Sequence, residues 1–310
     1  MKAIRIHRYG PVSEMVLEDV ALPHYTGGDV LIRVVASGVN PIDWKIRSGL
    51  MAQAMHFPMP LTLGWECAGT VDAVGHLVTA FKPGDKVFAL AEFARGGTYA
   101  EYVAVDAAQV ALMPRSVSFG MAASLPMTAQ AAWTAVEAAQ LQPGQRVLVH
   151  GGAGGVGSFA VQLARAKGAR VTATVASGDV ARAKELGAEV VIDFRRANFA
   201  DQVRDLDAVI DTVGGATQDA SWATLKPGGV LISLVQPPAQ DRAQAAGVRA
   251  EMVSTAGRGE VLQAIADMVD AGRLQTLPCH EFPLAEVRAV HERGEARTLA
   301  GRTVLRVSLH

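Results

Sequence analysis

The sequence predicts an α/β protein in which a β-rich domain is joined to a doubly wound parallel sheet. Three observations predict it: a change of hydrophobic period near residue 119, a glycine-rich turn between a strand and a helix around 150–158, and a return to β texture near residue 275. The chain has 310 residues, half of them hydrophobic, which is enough for two domains with buried cores.

The elements follow in order. Up to about residue 117 the chain carries short apolar runs, Lys2–Ile6, Val30–Ala36, Ala68–Val74, Lys86–Leu90 and Ala100–Val105. Turn signals such as Gly27-Gly28-Asp29 and Lys82-Pro83-Gly84-Asp85 separate them, the texture of antiparallel sheet. From Phe119 strands and helices alternate. Arg146–His150, Arg170–Val175, Glu189–Ile192, Ala208–Asp211, Gly229–Leu234 and Ala250–Thr255 read as six strands. Ser158–Lys167, Val180–Leu186 and Gln218–Leu225 read as helices between them, and Gln236 to Gly247 as a surface loop. The tail holds one helix, Leu284–Glu292, and a closing strand, Thr303–Leu309. It is expected to fold back onto the first domain, so that residues 1–117 and 275–310 form one domain and 118–274 are inserted into it.

Charge and composition narrow the function classes. A net charge of −1 with scattered Lys and Arg gives no electrostatic footprint for nucleic acid or a lipid surface. Two cysteines, Cys67 and Cys279, are too few for a disulfide framework or a four-cysteine zinc lobe. MKAIRIHRYG reads as an opening strand rather than a signal peptide, and no run is long and apolar enough to span a membrane, so a cytoplasmic protein is expected.

The strongest local chemistry lies in RVLVHGGAGGVGSFAVQLARAKGARV. A strand runs into Gly152-x-Gly154-x-x-Gly157 and a helix follows. In a Rossmann turn the first glycine permits the tight bend. The second lets backbone approach a pyrophosphate, and the third lets helix pack close on strand. The helix N-terminus then offers unpaired N–H groups to the phosphates. Gly152, Gly154, Gly155, Val156 and Gly157 are therefore expected to hold a nicotinamide dinucleotide. NAD-specific domains usually end the second strand in an acid that grips the ribose. Here Val175-Ala176-Ser177 carries none, which favours NADPH over NADH, with Ser177 as a donor to the 2′-phosphate and Arg182 or Arg195 as counter-charge. Asp179 would oppose that phosphate if it pointed inward. Val213, Gly214 and Leu234 stand at the ends of later strands, where an open α/β sheet binds its ligand.

Several further blocks occur in order: Gly38-Val39-Asn40-Pro41-Ile42-Asp43, Gly64-Trp65-Glu66-Cys67-Ala68-Gly69, Phe81-Lys82-Pro83-Gly84-Asp85-Lys86-Val87, Gly96-Gly97-Thr98-Tyr99-Ala100-Glu101-Tyr102 and Ala123-Ser124-Leu125-Pro126-Met127-Thr128-Ala129. Asp211-Thr212-Val213-Gly214-Gly215 and Leu225-Lys226-Pro227-Gly228-Gly229 complete the set. With the glycine loop they make nearly the whole chain resemble the medium-chain dehydrogenase/reductase superfamily, in its zinc-independent quinone oxidoreductase branch. The resemblance implies a GroES-like catalytic domain beside the Rossmann domain. It also implies no metal, because zinc-dependent members have Cys where this chain has Asn40 and His where it has Trp65.

Without a Lewis acid, reduction of an already polarised acceptor, a quinone or an α,β-unsaturated carbonyl, is the chemistry implied. By resemblance Asn40 lies by the nicotinamide and bonds substrate or cofactor, or else only structures the loop before Pro41. Lys45 reaches the nicotinamide ribose or a substrate carbonyl, or is simply solvated, and Asp43 anchors the loop rather than moving a proton. Thr128 is similar to a residue that contacts the nicotinamide region. Trp44, Trp65 and, more weakly, Tyr99 are candidates for the walls of the acceptor pocket, against a plain packing role. His150 reads as a strand-end residue. An enoyl-thioester reductase is the alternative among enzymes, and a non-catalytic NADPH-binding or redox-sensing protein the alternative outside them. The expected partners are a small electrophilic acceptor and a second copy of the chain, paired through the last strand of the parallel sheet into a homodimer.

Overall fold

Strand β1 (Lys2–Ile6) opens the computed structural model, which describes residues 1–308. In chain order follow β2 (Val16–Asp19), β3 (Asp29–Val39), α1 (Pro41–Arg47), β4 (Leu61–Thr62), β5 (Glu66–Val74), β6 (Lys86–Leu90), β7 (Tyr102–Asp106), β8 (Val110–Leu112), α2 (Phe119–Ala123) and α3 (Pro126–Ala139). The parallel-sheet region runs β9 (Arg146–Val149), α4 (Gly155–Ala166), β10 (Arg170–Val175), α5 (Val180–Glu185), β11 (Val190–Asp193), β12 (Leu206–Asp211), α6 (Ala216–Ser221), β13 (Leu225–Ser233), α7 (Gln240–Ala246) and β14 (Arg249–Met252). The chain closes with α8 (Gly259–Asp270), β15 (Cys279–Pro283), α9 (Val287–Glu295) and β16 (Arg302–Arg306). Leu309, at the expected end of the closing strand, lies outside the described residues.

The chain divides into two units, Met1–Met127 with everything from Ala256 onward, and Thr128–Thr255. In the first, β15-β16-β3-β5-β6-β8 form a sheet with β7 paired to β3, and β2-β1-β4 form a smaller one. β3 is the hub. It pairs antiparallel with β16, β5 and β7, and its run of Val and Ile is buried on both faces, as a β-branched central strand should be. Val30, Ile32, Val34, Val71, Val87 and Val103 make one core cluster, and Ile4, Ile6, Leu63, Trp65, Leu90 and Leu305 belong to another. Each such side chain, fully buried, is worth about 1.5–3 kcal/mol relative to exposure.

The second unit is a six-stranded parallel sheet in the order β11-β10-β9-β12-β13-β14. Renumbered from its own first strand this is 3-2-1-4-5-6, the order of a dinucleotide-binding fold, in which the crevice for a ligand opens where the order reverses. Leu148, Ile192, Val209, Leu231 and Trp222 fill its core.

Two expectations change. The stretch Gln236 to Gly247 is not all loop, because it contains α7, which buries Ala243 and ends on left-handed Gly247 at φ +64°. The unit boundaries also differ from 117/118 and 274/275. Helix α2 packs on β3 and β5, and α8 packs on β8, so both belong with the β-rich unit. Asp270, at the end of α8, fixes this by accepting the N–H groups of Arg115 and Ser116 at 3.1 and 2.9 Å. Among the described residues no helix is long and apolar enough to cross a membrane.

Candidate functional site

The glycine turn is built for close approach. Gly151 takes φ +64°, and the Gly152 N–H bonds Thr174 O at 3.0 Å, drawing the turn over β10. A Cβ on Gly152 would stand 2.6 Å from Ala173 Cβ, and one on Gly157 only 2.2 Å from Gly151 O, so both positions exclude a side chain. Gly154 is exposed and is the N-cap of α4, with no side chain capping the helix. The N–H groups of Gly155, Val156 and Gly157 in the first turn therefore have no partner within the helix. An uncapped twelve-residue helix behind a side-chain-free turn fits a diphosphate.

Around it, the carboxyl ends of β9, β10, β11 and β12 border a cavity of about 640 Å³ lined by His150, Gly151, Thr174, Phe194, Arg195 and Val213 among others. Phe194 and Val213 expose over half their surface. The Val213 and Gly214 N–H groups both bond Asp211 Oδ1, and Leu234 N–H bonds Asp211 O, so one buried Asp shapes two of the loops. His150 is fully buried between Thr174 Oγ1 at 3.0 Å and Ser221 Oγ at 2.9 Å. Burial pushes its pKa down to about 4, which keeps it neutral.

At the ribose end, Arg195 is exposed and Arg182 is partly buried on α5. Ser177 is exposed but bonds the carboxylate of Asp193. That bond, the Arg195 N–H and the nearby arginines hold Asp193 below the usual carboxylate range. Ser177 is the residue expected to donate to a 2′-phosphate. The structure gives it an acidic neighbour from the next strand instead.

The β-rich unit holds a second constellation, a buried polar cluster. Asn40 precedes α1, and its N–H bonds Asp43 Oδ2 at 2.7 Å. Its amide is used at both ends: Nδ2 donates to Glu66 Oε1 at 2.6 Å, and Oδ1 accepts from Arg302 Nη2 at 3.0 Å. Arg302 also donates to Glu66 Oε1 at 2.9 Å and to Ser124 O at 3.2 Å, while Glu66 Oε2 accepts the Met127 N–H at 2.7 Å. Gly38 is required by this cluster, because a Cβ there would lie 2.0 Å from Glu66 Oε1. Burial raises the Glu66 pKa and Arg302 offsets the rise. Asp43 accepts the Tyr99 hydroxyl at 2.7 Å, and burial pushes its pKa up to about 7.

These contacts bear on three expectations. Held at both ends of its amide, Asn40 structures the loop before Pro41, and its Nδ2 keeps a second N–H beyond the one given to Glu66. Trp65, 1% exposed, packs between Phe57 and Phe93 and donates Nε1 to Phe93 O, so it is core rather than pocket wall. Tyr99 is wholly buried, its hydroxyl committed to Asp43. Trp44 is half-buried against His291, and Lys45 is exposed on α1. Thr128 is buried in α3, one residue beyond the Met127 that Glu66 holds.

Sequence reasoning missed Arg302, which carried no signal beyond an Arg opening an apolar strand. It also missed the hold of Glu66 on Met127, and Asp193. Among the described residues no group of three or more His, Cys, Asp or Glu could hold a metal ion. The cluster's one fully buried glutamate faces a guanidinium, which repels a cation.

Residues 26–115 match the alcohol dehydrogenase GroES-like domain family, and residues 186–305 match a family described as zinc-binding dehydrogenase. The chain is 34% identical over 322 residues to a 2-methylene-furan-3-one reductase of Solanum lycopersicum, covering 100% of this chain and 79% of that protein. It is 33% identical over 319 residues to the chloroplastic NADPH-dependent alkenal/one oxidoreductase of Arabidopsis thaliana, covering 98% and 79%. The structure of the quinone oxidoreductase from Coxiella burnetii superposes with a TM-score of 0.90 at 34% identity, over 99% of each chain.

Proposed function

This chain belongs to the medium-chain dehydrogenase/reductase superfamily, and we propose that it reduces quinones or α,β-unsaturated carbonyl compounds with NADPH in preference to NADH, without catalytic zinc. The observation that carries the reading is the uncapped α4 behind the Gly152–Gly157 turn, together with a buried polar cluster that offers a metal no donor set.

When bound, the nicotinamide supplies a hydride to the β-carbon of an enone or to a quinone, and the electron pair displaced ends on the carbonyl oxygen. The chain's task is then to hold the acceptor, stabilise that oxyanion and admit one proton from water. Gly155, Val156 and Gly157 would hold the diphosphate through their backbone N–H groups, while Gly154, whose own N–H bonds Gly151 O, leaves room for its approach. Thr128, buried in α3, would contact the nicotinamide region, as the resemblance implies. Lys45, exposed on α1, is the cationic donor this chain offers the oxyanion. Asn40, Asp43 and Glu66 fix the start of α1 and so set where Lys45 stands. Trp44 on the same helix is the aromatic left to face a planar acceptor.

Edge strand β14, with Met252 half exposed, is proposed to pair with its twin in a homodimer, which light scattering on the eluted protein would check against a monomer. Two free cysteines suit the reducing cytoplasm as its compartment. The activity is tested on chelator-treated protein by following NADPH oxidation with a panel of 1,4-quinones and 2-alkenals. Turnover with at least one acceptor is expected, and none with any of them overturns the proposal.

A further inference from the structure

We infer that Asp193 reads the 2′ position of the cofactor's adenosine ribose and limits the preference for the 2′-phosphorylated nucleotide. The inference rests on the proposed dinucleotide site and assigns a residue to its selectivity.

The position follows from the fold. In a dinucleotide-binding sheet the acid that grips the ribose stands at the end of the second strand, about twenty residues beyond the glycine turn. Counting twenty from Gly157 reaches Ser177, just past the end of β10, and that residue is not an acid. The carboxylate arrives from the side. β11 runs parallel to β10 with Val175 in register with Asp193, and the Asp193 carboxylate accepts the Ser177 hydroxyl. The hydroxyl thus occupies the usual place of the acid, and the acid stands one hydrogen bond behind it.

The surroundings fix how Asp193 is held. Its Oδ1 accepts the Arg195 N–H at 3.0 Å, and its Oδ2 lies 3.4 Å from Arg196 Nε. Both arginines are exposed, and Asp193 itself is mostly covered. A ribose with free hydroxyls adds a donor to a carboxylate with an unused lone pair, which strengthens the arrangement already present. A 2′-phosphate must take the Ser177 hydroxyl away from Asp193 and recruit Arg195 and Arg196 while standing beside a like charge. Arginines and acid therefore oppose one another across a single position, and both nucleotides are accommodated. Turn formation alone also explains an Asp here, since it caps its own turn through the Arg195 N–H. Charge separates the two roles, because asparagine keeps the turn and loses the repulsion.

The full chain and D193N are titrated calorimetrically with 5′-AMP and 2′,5′-ADP, and with NADH and NADPH. The expected result is a shift of about tenfold or more in the ratio of dissociation constants toward the 2′-phosphorylated member of each pair, the usual weight of a charged hydrogen bond. D193S, which retains a smaller turn cap, is expected to shift the ratio in the same direction. A ratio that stays put in both variants, or moves the other way, overturns the role of Asp193 and leaves the dinucleotide site standing. A wild-type protein that binds neither pair overturns the site itself.

Discussion

Replacing Arg302 by Met isolates what holds the buried cluster together. The substitution removes three hydrogen bonds, to Ser124 O, Asn40 Oδ1 and Glu66 Oε1, with little change of volume. It leaves Glu66 wholly buried with only Asn40 and the Met127 N–H as donors. Breaking a buried ion pair from one side costs about 3–5 kcal/mol, most of it the penalty of the charge left behind. That penalty depends on pH with a definite sign. Burial already raises the Glu66 pKa and Arg302 offsets the rise, so without Arg302 the folded-state value climbs further above its unfolded one. A group with a raised folded pKa contributes full stability below the unfolded value and loses it as pH rises through the folded value. R302M should therefore be less destabilised at about pH 5 than at about pH 8, because the uncompensated charge of Glu66 weighs more as pH rises. Adding E66Q should recover most of the loss at the higher pH, giving a coupling of about 2 kcal/mol or more in a double-mutant cycle. Urea unfolding at both pH values, read by tryptophan fluorescence, measures this. Equal deficits at the two pH values, or additive single-mutant losses, would refute the claim that the cluster is held by charge.

Three further outcomes follow from single positions. Gly154→Val puts a side chain over the uncapped start of α4, where a Cβ already stands 3.2 Å from Gly151 O. Nucleotide affinity should fall about 100-fold or more, with stability lowered far less, as titration and thermal melting would show. Gly157→Ala forces α4 off the turn, since its Cβ would lie 2.2 Å from Gly151 O. It should cost about 1–3 kcal/mol of stability in denaturant melts as well as weakening nucleotide binding. Asp43 has a folded pKa of about 7 against an ordinary 3.8. Between these values wild-type stability should fall with rising pH, by up to about 1.4 kcal/mol per unit, whereas D43N should give a flatter profile.

How much of this was legible in the sequence differs between backbone and side chains. β1, β6 and β10 have their expected bounds, because each is a short, mostly apolar run. α7 was hidden because Pro, Ala and Gln between two strands look like a loop. Only the placement of Gly247 past its end, and the burial of Ala243, mark a helix. The unit boundaries were hidden for a different reason. α8 follows the last parallel strand in the same alternating rhythm, and nothing in its own residues says that its apolar face packs on β8 rather than on the parallel sheet.

The side-chain chemistry was legible only where it is local. The glycine turn does its work within a few residues, so spacing alone exposes it. The polar cluster joins Asn40 to Glu66 across 26 positions and Glu66 to Arg302 across 236, and no period links them. Asn40 illustrates the consequence. Its type and place before Pro41 suit a ligand for substrate oxygen, and only the partners at both ends of its amide show that it is occupied with the fold. Asp193 is the converse. It reads as an ordinary strand end until the register of β10 with β11 brings it to Ser177. In both cases the residue's chemistry was visible and its partner was not, and the partner decides the function. In the proposed reaction the cationic donor to the oxyanion is Lys45, exposed on the helix that Asn40 begins. Lys45→Met should lower kcat far more than it raises the KM for the acceptor, at unchanged nucleotide affinity, if that assignment is right.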